Sequence, residues 1–221
     1  MKAVIFDLDG TLLDTIDDIA DSMNVVLEKY GLPTQNVKDY KYFVGDGAEV
    51  LAERCAPNAH IANVSISQLA DEYKAIYSTK QADKTVPYES IPELLSALAE
   101  RGIKLAVLTN KSHTAALEVM AQFFPAIHFD TIIGVRPGHP TKPNPAGVHE
   151  IMNILNLPPE EVLYVGDTGT DMQTAVAAGL KAVGVLWGFR DGKELLDHGA
   201  DIIVSHPLEI LDYITGEYIY V

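Results

Sequence analysis

Cysteine is almost absent from this chain. Cys55 is the only one in 221 residues, so no disulfide can close within it. That fits a reducing compartment, and the expected location is the cytoplasm. No apolar run reaches the roughly 20 residues needed to cross a bilayer, and the first residues carry no apolar signal segment, so no membrane partner is expected. Positive charge is scarce too: Lys and Arg number 16 against 31 Asp and Glu, a formal net charge of -15. Nucleic acids and anionic membranes are held through clustered Lys and Arg, so neither is an expected partner. The same surface repels an anionic substrate at long range. A site for such a substrate therefore needs its own cations: a metal, a well-placed lysine or helix N-termini.

What the chain does have is an ordinary globular composition, 48% hydrophobic and 21% charged. Its length suits one large domain or one domain with an insertion, with monomer or homodimer both open. One stretch organises the rest, Phe6-Asp7-Leu8-Asp9-Gly10-Thr11, which follows the strand-like run Ala3-Val4-Ile5-Phe6. In an extended chain alternate side chains share a face, so Asp7 and Asp9 can enter one crevice while Leu8 points away. Gly10 then permits a sharp turn. Two anions this close need a cation or a proton between them.

Apolar spacing predicts a helix over 16–30, stopped by Gly31 and Pro33. The acids of its first turns, Asp14, Asp17, Asp18 and Asp21, read as a solvated face favoured near a helix N-terminus. Residues 34–83 are polar and helical, with amphipathic pieces at 38–43, 48–55 and 67–78. Between the first two lies Val44-Gly45-Asp46-Gly47, a loop that lacks the preceding strand and third glycine of a dinucleotide fingerprint. From Pro87 helix and strand alternate. Ser90-Ile91-Pro92-Glu93 reads as a capping box. Strands are expected at 103–108, 131–133, 162–165, 182–186 and 201–204, and helices at 115–123, 146–155 and 172–178. This alternation implies an α/β fold with a mostly parallel sheet covered on both faces. Such sheets bind ligands at the carboxyl ends of strands. Polar groups stand there: Asp7 and Asp9, Thr109 and Asn110, and Asp167 after Gly166, with Lys142 in the loop after another strand.

This set suits a phosphate monoester. Asp7 is a carboxylate at neutral pH and can attack phosphorus in line, forming an aspartyl-phosphate. Mg²⁺ would cancel the repulsion between Asp7 and the phosphoryl group, with Asp7, Asp167 and a backbone carbonyl near Asp9 as ligands. Asp9, expected to lie among anions, acts as acid and base. Thr109 and Asn110 offer donors to the phosphoryl oxygens. Lys142 pairs with Asp7 and the transferring group. Asp171, one turn into the next helix, orients Lys142 or reaches Mg²⁺ through water.

These residues resemble the haloacid dehalogenase superfamily of phosphatases. Asp7-Leu8-Asp9-Gly10-Thr11 resembles its first motif, Thr109-Asn110 its second, Lys142-Pro143 its third, and Gly166-Asp167-Thr168-Gly169-Thr170-Asp171 its acidic fourth. The resemblance implies a Rossmann-like three-layer core over 1–13 and 84–221, with 14–83 an inserted helical cap of the C1 type. It also implies Mg²⁺ dependence and a small phosphorylated metabolite as partner. Asp9 argues against the dehalogenases themselves, which lack that second aspartate. Within the superfamily the chain is similar to phosphoglycolate phosphatases, on Phe43-Val44-Gly45-Asp46-Gly47, Pro87-Tyr88 and Gly188-Phe189-Arg190. The 44–47 loop is then a candidate substrate contact through Gly45, Asp46 and Gly47. Pyrophosphatases, nucleotidases, sugar-phosphate phosphatases and a β-phosphoglucomutase-like mutase share much of the pattern. A phospho-accepting regulatory module is the non-enzyme alternative.

Overall fold

The run Ala3-Val4-Ile5-Phe6 forms strand β1 (Ala3–Phe6), every residue of it buried, in the computed structural model of the chain, which describes residues 1–216. The other strands are β2 (Leu13–Asp14), β3 (Val86–Pro87), β4 (Lys104–Ser112), β5 (Thr131–Val135), β6 (Val162–Gly166), β7 (Lys181–Val185) and β8 (Ile202–Val204). Six of them make one sheet in the order β5-β4-β1-β6-β7-β8, and all the pairings are parallel. The chain forms two compact units, one of residues 1–13 and 87–216, the other Asp14–Val86. The crossings between them, β2 and β3, make a separate two-stranded sheet.

The inserted unit holds helices α1 (Ile16–Lys29), α2 (Val37–Phe43), α3 (Ala48–Cys55) and α4 (Ile66–Lys80). Its core includes Met23, Val26, Leu27, Leu51, Leu69 and Tyr40, whose hydroxyl donates to Asn24 Oδ1 at 2.8 Å. Burial pushes the nearby Cys55 thiol up to about 12, leaving it protonated and unreactive. One expectation fails here. Asp18 is not on a solvated face but 2% exposed, and its carboxylate accepts from Lys84 N, Thr85 N and Thr85 Oγ1 at 2.7–3.1 Å. A buried charge needs such donors, and they arrive from the far end of the insertion.

In the sheet unit the alternation along β1 sorts the core. Val4, Phe6 and Leu8 pack with α5 (Ile91–Glu100), α6 (His113–Phe123) and α10 (Leu208–Thr215) on one face. Ala3 and Ile5 pack with α7 (Ala146–Leu155), α8 (Gly169–Ala178) and α9 (Gly192–Asp197) on the other. The expected capping box at Ser90 does not form. Ser90 has φ 61°, in the left-handed region, and its side chain makes no capping hydrogen bond. A capping box does open α8, where Thr168 and Asp171 cap each other. β4 runs past the expected end at Leu108 through Ser112, with a register shift against β5 between those two residues. Among the described residues no helix is long and apolar enough to cross a membrane.

Candidate active site

Register sets the level at which the strands end. Phe6 lies opposite Val107 of β4 and Val165 of β6, so Asp7, Thr109 and Asp167 follow within one or two residues of one level of the sheet. Asp7 stands at the centre, with its N–H donated to Val165 O at 2.9 Å. It follows Ile5 in the two-residue alternation, so its carboxylate and Leu8 take opposite faces.

The third motif reaches Asp7 through Lys142, which precedes a cis proline. Lys142 Nζ lies 2.8 Å from Asp7 Oδ1 and 2.6 Å from Asp171 Oδ1, with a lysine side chain only 3% exposed. Burial alone lowers an ammonium pKa, but Asp171 and Asp7 outweigh it and hold Lys142 well above the ordinary lysine value. Asp171 is fully engaged. Its Oδ1 also accepts from Tyr164 Oη at 3.2 Å, and its Oδ2 accepts from Thr168 N at 3.1 Å and Thr168 Oγ1 at 2.6 Å. It therefore acts on Lys142 and the start of α8. Asn110 fixes the same loop from the backbone side: its Oδ1 accepts from Lys142 N at 3.0 Å and its Nδ2 donates to Lys142 O at 3.2 Å. The Asn110 side-chain amide thus clamps the backbone of Lys142.

Asp167, fully buried, accepts from Thr11 Oγ1 at 3.0 Å and from Phe189 N at 2.8 Å, one bond on each oxygen. Burial, then the charge of Asp171, pushes its pKa up to about 7. Asp7 is raised well above the carboxylate range by burial first and Asp171 second, against the pull of Lys142. Three glycines make room for this density. A Cβ on Gly10 would lie 2.3 Å from Asp167 Oδ2, one on Gly166 2.4 Å from Asp171 Cβ, and one on Gly188 2.3 Å from Asp167 Cβ. Gly10→Ala is therefore expected to cost more than Gly179→Ala. Both have left-handed φ, worth about 1–2 kcal/mol against a side chain, but Gly179 has no neighbour within 4 Å. Thermal unfolding of the two variants checks this, and equal losses would remove the role assigned to crowding at Asp167.

Asp9 departs from expectation. It does not lie among anions alone, because Lys111 Nζ is 2.7 Å from its Oδ1, with the lysine side chain 6% exposed and the aspartate 19%. Lys111 belongs to none of the motifs. The available signal was its place directly after Thr109-Asn110. Its backbone N–H donates to Thr109 Oγ1 at 3.1 Å, which ties that buried hydroxyl into the same turn. Trp187 was also not anticipated, and its Nε1 donates to Thr11 O at 3.0 Å. Gly45, Asp46 and Gly47 belong to the inserted unit, between α2 and α3, where Asp46 Oδ2 pairs with Arg54 Nη2 at 2.6 Å.

The donor set fits a hard divalent cation. Among the described residues Asp7, Asp167 and Asp171 place carboxylate oxygens within 4.8 Å of one another, all three buried. Asp171 already serves Lys142 and Thr168, which leaves Asp7 and Asp167 as the residues suited to hold Mg²⁺. The Asp9 carboxylate lies outside that cluster, on Lys111, and the contribution expected of Asp9 was its backbone carbonyl.

The sequence profile described as "Haloacid dehalogenase-like hydrolase" matches residues 4–185. The phosphoglycolate phosphatase of Chromobacterium violaceum is 33% identical over 215 residues, covering 96% of this chain and 96% of its own. That of Pseudomonas savastanoi pv. phaseolicola is 31% identical, covering 96% of this chain and 76% of its own. Among solved structures, a haloacid dehalogenase-like family hydrolase from Streptococcus pneumoniae superposes with a TM-score of 0.87 at 28% identity, covering 97% of this chain and 98% of its own.

Proposed function

The chain belongs to the haloacid dehalogenase-like hydrolases, and from that premise we propose that it is a Mg²⁺-dependent phosphomonoester hydrolase acting through an aspartyl-phosphate on Asp7, with 2-phosphoglycolate as substrate. The observation that carries this reading is the buried bridge of Lys142 Nζ between Asp7 Oδ1 and Asp171 Oδ1, beside Asp167. It holds one carboxylate ready to attack and sets a cation beside the point where phosphoryl charge develops. The names of the relatives supply the substrate.

In this mechanism a carboxylate oxygen of Asp7 attacks phosphorus while the ester oxygen departs in line. Asp9 gives its proton to that oxygen, and the alcohol leaves. Water then attacks the phosphorus of the aspartyl-phosphate, Asp9 takes the proton released, and phosphate departs with Asp7 restored as a carboxylate. Lys142 stabilises charge on the phosphoryl oxygens throughout. Asp171, Tyr164 and Asn110 keep that ammonium in place. Thr109 and the backbone beside it donate to the phosphoryl oxygens. Asp7 and Asp167 would hold Mg²⁺, and what it would supply is neutralisation of the anions gathered there. The inserted unit, Asp14–Val86, is read as the cap domain that governs substrate choice.

Phosphate release from 2-phosphoglycolate, pyrophosphate, a nucleoside monophosphate and hexose phosphates, with Mg²⁺ and with excess EDTA, tests the proposal. The highest kcat/KM is expected on 2-phosphoglycolate, with activity lost in EDTA and recovered on adding Mg²⁺. Full turnover in EDTA would end the metal assignment, and an isomerised sugar phosphate without free phosphate would identify a mutase instead. A Mg²⁺ ion held only by the folded site would also raise the unfolding midpoint of the parent protein.

A further inference from the structure

Four carboxylates and two ammonium groups meet at this edge of the sheet. Lys142 touches Asp7 and Asp171, and the mechanism accounts for it. Lys111 touches Asp9, and the mechanism has no use for it. Burying an ammonium is costly, and a pair needed only to neutralise Asp9 could form on an open surface. Lys111 is instead built into place. It stands where β4 shifts register, the kind of irregularity that re-aims a side chain near a site. Thr109 Oγ1 holds its N–H. Gly134 on the neighbouring strand makes room for it, since a Cβ there would lie 2.7 Å from Lys111 O and 2.7 Å from His113 Cα.

We propose that Lys111 is a specificity-determining residue, whose ammonium, held on Asp9, recognises a carboxylate carried on the leaving group beside the ester oxygen. This rests on the phosphatase reading above, in which Asp9 meets the departing oxygen. A cation 2.7 Å from Asp9 Oδ1 stands on the leaving-group side of the scissile bond. In 2-phosphoglycolate a single CH₂ separates the ester oxygen from the carboxylate, which puts that carboxylate within reach of the same ammonium. A lysine suits this task. Its charge is compact, and its three rotatable donors let it keep Asp9 while engaging a second anion. Lys142 serves the phosphoryl group and Lys111 the carboxylate, so an acidic protein binds a trianion with two buried lysines and a metal. An ester of the same size with a neutral leaving group gains nothing from Lys111.

The test compares kcat/KM for 2-phosphoglycolate and ethyl phosphate, both with saturating Mg²⁺, in the parent protein and in Lys111→Met. The parent is expected to prefer 2-phosphoglycolate. Lys111→Met is expected to lose about 10- to 100-fold of that preference, the worth of a hydrogen bond between charged groups, while Lys111→Arg retains part of it. A purely structural role would slow both esters by the same factor and leave the ratio unchanged, and that result overturns the inference. A parent without preference between the two esters also overturns it and leaves the phosphatase reading standing. A parent that releases phosphate from no monoester removes both. Should Lys111→Met fail to fold, Lys111→Gln keeps a donor for Asp9 without the charge and reads the same ratio.

Discussion

Asp7→Asn is expected to abolish turnover, by on the order of 10⁴-fold or more, without unfolding the protein. The carboxamide has nearly the shape of the carboxylate but no nucleophilic anion, and it cannot form the aspartyl-phosphate. Lys142 keeps Asp171 as its partner at 2.6 Å, so no buried ammonium is stranded. Stability points the same way. Burial and Asp171 hold the Asp7 pKa well above the ordinary carboxylate value. Between the ordinary value and that raised one the folded state binds more protons than the unfolded, so ionisation of Asp7 destabilises the fold as pH rises through that window. Asparagine carries no such penalty, and without Mg²⁺ the variant should melt no lower than the parent at neutral pH. Phosphate release and thermal unfolding measured together check both halves. Activity within tenfold of the parent would end the assignment of Asp7 as nucleophile.

Lys142→Met should injure both stability and activity. The lysine side chain is 3% exposed and answers two carboxylates at once. Methionine fills much of the volume but leaves Asp7 and Asp171 buried without their shared cation, and breaking such a pair costs about 3–5 kcal/mol. In a chain of this size each kcal/mol moves the midpoint by about 2–4 °C, so a fall of roughly 6–20 °C is expected. Loss of the cation beside the phosphoryl group should cost about 10²–10³-fold in kcat. Adding Asp171→Asn removes one of those two carboxylates, so the double variant should regain part of the midpoint and none of the activity. That split distinguishes the stabilising role of Lys142 from its catalytic one. An unchanged midpoint in Lys142→Met would contradict the burial and pairing described for it.

The strands were legible because their signal is local. A short apolar run ending in Asp7, Thr109 or Gly166-Asp167 announces a strand and its polar end within a few residues, and the parallel sheet follows from the alternation with helices. The errors fall where a distant segment decides. Ser90 has the spacing of a capping box, but its backbone takes a left-handed φ and its side chain makes no cap hydrogen bond. Asp18 has the look of a solvated helix acid, yet Lys84 and Thr85 close over it from 66 and 67 residues along the chain. Lys111 has only its place after Thr109-Asn110 to mark it, and the fold sets its ammonium on Asp9 at the register shift in β4.

The amino-acid sequence alone determined which side chains stand at the strand ends, and hence that carboxylates, a hydroxyl and a lysine would meet at one edge of a parallel sheet. Tertiary structure decided which partner each of them has. Thr11 meets Asp167 across 156 residues, Asp9 meets Lys111 across 102, and Lys142 meets Asp171 across 29. A carboxylate becomes a nucleophile, a proton carrier or a positioning group through what lies within about 3 Å of it, the reach of a hydrogen bond. At Asp7 and Asp9 those neighbours come from segments brought near only by folding.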